Sequence, residues 1–224
     1  NNPEVIKLSN LIGRSPASIA RKLGNFGSLD PELQRQQVSG LLHTSKLDQE
    51  IWKEFHNNWN QLVIEASYLK ESIEIESAPP TAMDIKRPPG PSEKIIIQKT
   101  RIHQTFFRQA ILSSYENTCC VTGLCIEECL VASHIIPWSI SEKHRTDPRN
   151  GLCLSATFDK LFDRGLITVT SCYNVEVSPM LLGSKDTKID EMICFYHKKS
   201  IIKPKKFTPS KSYLEWHGNN IFKK

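Results

Sequence analysis

Four side chains in the second half of the chain have the types and spacing of a hydrolytic site. His134 follows the short apolar run Leu130-Val131-Ala132, Asn150 comes sixteen residues later, and Asp159 and Asp163 lie four residues apart in an apolar-periodic stretch. In a helix, positions i and i+4 share a face, so two carboxylates there can share one divalent cation. A hard ion such as Mg²⁺ (or Mn²⁺) prefers carboxylate and water oxygens and also contacts phosphate oxygens. A histidine facing that ion can take a proton from water, because its ordinary pKa of about 6.5 lies close to working pH. Each residue has a plainer reading as well: a structural imidazole at His134, a turn dipeptide at Asn150-Gly151, and a carboxylate at Asp163 that pairs with Arg164 or caps a turn.

The elements that must position these residues follow from the pattern around them. Leu130-Val131-Ala132 reads as a strand, SISEKHRTDPRN as a polar loop, Gly151-Leu152-Cys153-Leu154 as a second strand, and the stretch around Phe158 to Phe162 as a helix. Leu166–Val169 and Val175–Ser178 read as a hairpin through Ser171-Cys172-Tyr173-Asn174. Upstream, residues 102–115 repeat at helical spacing through Phe106, Ala110 and Leu112, and Ile95-Ile96-Ile97 reads as a short strand.

Taken together, Cys120-Val121-Thr122-Gly123, Val131-Ala132-Ser133-His134-Ile135-Ile136-Pro137-Trp138-Ser139, Asp147-Pro148-Arg149-Asn150-Gly151-Leu152-Cys153-Leu154 and Phe162-Asp163-Arg164-Gly165-Leu166-Ile167 resemble the HNH endonucleases with a ββα-metal finger. The resemblance extends from about Arg101 to the segment Tyr213–His217. It implies His134 as general base, Asn150 as the residue that braces the loop and orients that histidine, and Asp159 as the third catalytic and metal-holding position, with Asp163 beside it. Many relatives carry His at the position of Phe158 or Asp159, so the pattern here is H-N-D; Ser133 stands where other branches place a metal-binding Asp or His. The implied reaction is hydrolysis of a phosphodiester in double-stranded DNA, with Arg149 or Arg164 assisting and a 3′-hydroxyl leaving group. The expected protein is a metal-dependent restriction endonuclease, modification-dependent or not. The alternatives are a catalytically silent DNA-binding protein that keeps the fold and a nuclease arm of a larger immune complex.

The expected fold class is α+β: a helical domain over 1–77, a Pro-rich linker over 78–93 and the nuclease domain over 94–224. The linker holds five of the 13 prolines in APPTAMDIKRPPGPS, a composition that favours extended spacing. In the leader, Val5, Leu8, Leu11 and Ile12 form one helical face and Ile19, Leu23 and Phe26 a second, separated by Gly13-Arg14-Ser15-Pro16. Ser15 before Pro16 and Asp30 before Pro31 are N-cap signatures, and residues 46–70 read as one long amphipathic helix. The first two helices suit a helix-turn-helix with Arg21 and Lys22 on the DNA-reading helix, or a plain bundle or dimerisation unit; a site that cuts one strand at a time favours a homodimer.

Composition sets the outer bounds. With 39% apolar and 24% charged residues, no apolar run approaches the roughly 20 residues of a membrane span, and the first residues lack a signal-peptide pattern, so a cytoplasmic protein without membrane partners is expected. Seven cysteines without C-x2-C pairs read as reduced core or surface thiols. Of the net +5, the segment from Cys194 onward carries eight lysines against Glu215, a local +7 that leaves −2 elsewhere. Lysines such as Lys205 and Lys206, interleaved with Phe195, Tyr196, Phe207, Tyr213 and Trp216, suit a phosphate-tracking surface; the plainer reading is a solvated tail.

Overall fold

In a computed structural model of the chain, residues 2–37, 44–77 and 92–224 are described, and they divide into two compact units, Asn1–Ile97 and Gln98–Lys224. The expected linker, 78–93, lies almost wholly outside the described residues. The architecture is α+β, with a helical leader and two small antiparallel sheets in the second unit.

The first unit is built from helices whose starts are written in the sequence. Asn2 accepts the Glu4 N–H and opens α1 (Pro3–Ile12), which Gly13 closes in the left-handed region at φ 64°. Ser15 caps α2 (Pro16–Leu29), and Asp30 caps α3 (Pro31–Arg35). Ser45 and Asp48 form a reciprocal capping box at α4 (Lys46–Phe55). The single helix expected over 46–70 is instead two, α4 and α5 (Trp59–Ser77). Between them Asn57 takes φ 67°, a conformation Asn tolerates because its side chain competes for local hydrogen bonds. Asp48 is buried and accepts from Lys22 Nζ at 2.8 Å and Asn25 Nδ2 at 3.2 Å, joining α2 to α4.

The second unit starts within α6 (Ser92–Ser114). Ile95–Ile97, expected as a strand, lies in this helix: three β-branched residues are too short a run to resist propagation of the helix downstream. A tight turn with Gly123 at φ 74° leads to β1 (Leu130–His134), which pairs antiparallel with β2 (Gly151–Ser155), setting His134 opposite Gly151. The helix α7 (Ala156–Asp163) follows directly and packs on both strands. The expected hairpin is present as β3 (Ile167–Val169) and β4 (Val175–Val177). Short helices α8 (Pro179–Leu182) and α9 (Thr187–Met192) precede α10 (Lys211–Asn220), which packs on β3.

The core of this unit gathers Phe107, Ile111, Leu130, Leu152, Phe162 and Leu214, all 2% exposed or less. The thiols of Cys119, Cys120 and Cys153 are buried and unpaired, while those of Cys125, Cys129 and Cys172 are exposed. Cys119 Sγ accepts the N–H groups of Thr122 and Ser155, at 3.4 and 3.2 Å, stapling the turn to the end of β2.

Candidate active site

His134 stands at the C-terminal end of β1, and its ring lies flat on Phe107 of α6, centroids 3.7 Å apart and planes within 10°. The Trp138 ring stands nearly perpendicular to it, centroids 5.6 Å apart. Its Nε2–H donates to the Arg145 carbonyl at 2.9 Å, and this bond selects the tautomer in which Nδ1 carries the lone pair. Nδ1 has no hydrogen-bond partner among the described residues. Burial holds the imidazole pKa below its ordinary value, against the opposing pull of the Arg145 carbonyl, so the ring is neutral, as a base must be.

Asn150, 1% exposed, ends the loop between the strands and spends its whole side chain on it. Oδ1 accepts Ile136 N–H at 2.8 Å, and Nδ2 donates to the carbonyls of Ile136 and His144, both at 3.1 Å. The Ile135 N–H donates to the Asn150 backbone carbonyl at 2.9 Å. The loop that supplies Arg145 to His134 is therefore tied across its two ends. Two short 3₁₀ turns, Glu142–His144 and Pro148–Asn150, are its regular structure.

Asp159 and Asp163 lie one turn apart on α7, which packs against β1 and β2. Neither carboxylate has a hydrogen-bond or ion-pair partner among the described residues, so the expected Asp163–Arg164 pairing is not formed. Partial desolvation and the charge of Asp159 push the Asp163 carboxyl upward. Lys160 and Arg164 offset part of that push; an acid pair of this kind suits a hard divalent cation, which commonly needs one or two protein carboxylates and takes its other oxygens from water and phosphate. Among the described residues no group of three or more His, Cys, Asp or Glu side chains gathers as a ligand set. Ser133 is buried, and its Oγ has no hydrogen-bond partner among the described residues.

The basic residues fall into two groups. Arg149 is held by Asp147, Nε to Oδ1 at 3.0 Å and Nη2 to Oδ2 at 2.9 Å, leaving the guanidinium part-exposed. Lys22 is engaged with Asp48, and the lysine holds that carboxyl down at about 2. Arg21, Arg164, Lys205 and Lys206 are exposed.

The tie among Tyr213, His144 and Asp147 escapes a reading from sequence. Tyr213 of α10 places its hydroxyl 2.9 Å from His144 Nδ1 and 3.2 Å from Asp147 Oδ2, and burial together with the Asp147 charge lifts its pKa to about 12. The local signal was the Asp147-Pro148 turn, where the Asp147 side chain caps Arg149; nothing local announces a partner 66 residues away.

Residues 119–170, spanning the turn, β1, the loop, β2, α7 and β3, match the family model described as HNH endonuclease. This segment belongs to the HNH endonuclease family, and the match supports a nuclease-type function. None of the curated proteins compared matches the chain. No described helix is long and apolar enough to cross a membrane.

Proposed function

We propose that the protein is a divalent-metal-dependent endonuclease that hydrolyses phosphodiester bonds of double-stranded DNA, with restriction of foreign DNA as its role. The observation that carries this reading is the state of His134: a neutral imidazole, its Nε2–H committed to the Arg145 carbonyl and its Nδ1 uncommitted, within a segment of the HNH family. Nδ1 takes a proton from the attacking water. Asn150 keeps the loop, and with it the Arg145 carbonyl, in register with the imidazole. Asp159 and Asp163 would hold Mg²⁺ or Mn²⁺, and the ion when bound would offset charge on the scissile phosphate and leaving oxygen. Arg149, pre-oriented by Asp147, and Arg164 on the same unit supply cationic contacts to phosphate. The lysines from Lys198 to Lys206 extend that contact along the backbone by counterion release. Pairing of two copies, with the helical leader as DNA-reading or pairing unit, would let a one-strand site break a duplex.

Plasmid DNA and a library of unmodified, methylated and hydroxymethylated duplexes, incubated with Mg²⁺ or Mn²⁺, test the reading. Cleavage that disappears in His134→Ala, with that variant still folded and DNA-bound, is expected. Binding without cleavage of any DNA would overturn it in favour of a DNA-binding protein that keeps the fold.

A further inference from the structure

We infer that Tyr213 is a positioning residue: its hydroxyl latches the loop between β1 and β2 and so fixes the backbone carbonyl that sets the tautomer of His134. The inference rests on the reading of His134 as the base. The tautomer depends on a main-chain atom, Arg145 O, in a loop without strand or α-helix, so the loop's own anchorage decides how well the imidazole is aimed.

Tyr213 grips the residues on either side of Arg145. Its O–H donates to Asp147 Oδ2, and it accepts from His144 Nδ1–H, a pairing that satisfies the hydroxyl, the imidazole and one carboxylate oxygen together. The His144 ring also packs against the Tyr213 ring, centroids 4.8 Å apart. The same helix adds a second tie at its start, Ser210 N–H to the Arg149 carbonyl at 3.0 Å. On the loop's inner side the His144 carbonyl accepts from Asn150 and the Arg145 guanidinium donates to the Trp138 carbonyl at 3.0 Å. His144 is thus held by its carbonyl from within and by its ring from α10, and the Arg145 carbonyl follows immediately. Hydrogen bonds that share polarised partners in a part-buried setting act as a unit, so loss of one hydroxyl loosens the whole span.

The test uses the full chain labelled with ¹⁵N at its histidine rings, with the His134 signals assigned by their absence in His134→Ala. In the wild type at neutral pH, His134 shows one tautomer, protonated at Nε2. In Tyr213→Phe, which keeps the ring and removes the hydroxyl, mixed tautomers and a faster-exchanging Nε2–H are expected. DNA cleavage should then lose about tenfold in kcat, the scale of one hydrogen bond, with KM within about twofold. Tyr173→Phe removes a comparable hydroxyl bond, to the Pro209 carbonyl, and leaves the His134 signals as in the wild type. Should Tyr213→Phe unfold, His144→Leu removes the ring donor, breaks the latch from the loop side and carries the same expectation. An unchanged His134 tautomer in the folded variant overturns the latch, whatever the activity. A wild type that cleaves no DNA overturns the nuclease reading instead, while the ring spectrum still decides the latch.

Discussion

His134 and Asn150 divide the work at the smallest scale: one presents a lone pair, and the other spends every polar atom of its side chain on holding the scaffold still. Replacing Asn150 with Ala leaves the buried Ile136 N–H and the Ile136 and His144 carbonyls short of a partner. A loss of about 2–4 kcal/mol in urea unfolding is expected, with cleavage lost in conditions where the variant remains folded. Both residues were legible in the sequence because strand, loop and strand keep them within sixteen positions of one another. Tyr213 read as one aromatic in a lysine-rich tail and as the start of the closing segment of the resemblance, but its hydrogen bonds were not legible, since they join α10 to a loop 66 to 69 residues earlier. Asp163 gave no sign that Arg164 acts on it by charge alone, without a close ion pair among the described residues; adjacent opposite charges suggest a pair, but neighbouring helical residues point in different directions.

At the level of elements, the close seating of α6 on the β1–β2 hairpin supplies the surface on which the imidazole ring lies. Gly151 faces His134 across the ladder, and a Cβ there would drive into the side chains of Ile111 and Phe107. Gly151→Ala should therefore cost about 1–3 kcal/mol through overpacking, seen as a lowered Tm, and should displace the Phe107 ring on which His134 lies. Helix starts were readable wherever Ser or Asp precedes Pro, since that pair satisfies free N–H groups and presets φ together. The break at Asn57 was not, because the apolar spacing runs on through it and only backbone handedness marks the stop. Ile95–Ile97 misleads for the opposite reason: local β preference yields to a 23-residue helix.

For the molecule as a whole, acid sensitivity is concentrated in a buried histidine of α10. His217, 1% exposed, stacks on Phe162 at 3.7 Å and bonds to Thr168 Oγ1 at 2.8 Å and the Phe162 carbonyl at 3.1 Å. Burial lowers its pKa from 6.5 to about 4, opposed by the Phe162 carbonyl. With the folded value depressed, the unfolded chain binds the proton first. Its contribution is complete above about pH 6.5 and is lost as pH falls toward 4, a decline of about 3 kcal/mol. Urea unfolding between pH 7 and 4 should show that fall, and His217→Gln should flatten it. His134, depressed in the same direction, adds to the slope. The local excess of lysine was legible as arithmetic on the sequence. Its exposure at Lys205 and Lys206 required the fold.

The sulfur staple at Cys119 has an outcome for the chemistry of the chain in air. Oxidants and alkylating agents meet the outward sulfurs at Cys125, Cys129 and Cys172, whereas those of Cys119, Cys120 and Cys153 are sealed beneath the hairpin. Burial also drives the Cys120 and Cys153 thiols up, Cys153 to about 12, so they lack the thiolate that such reagents attack. Surface damage of this kind can accumulate while the scaffold under the imidazole stays intact.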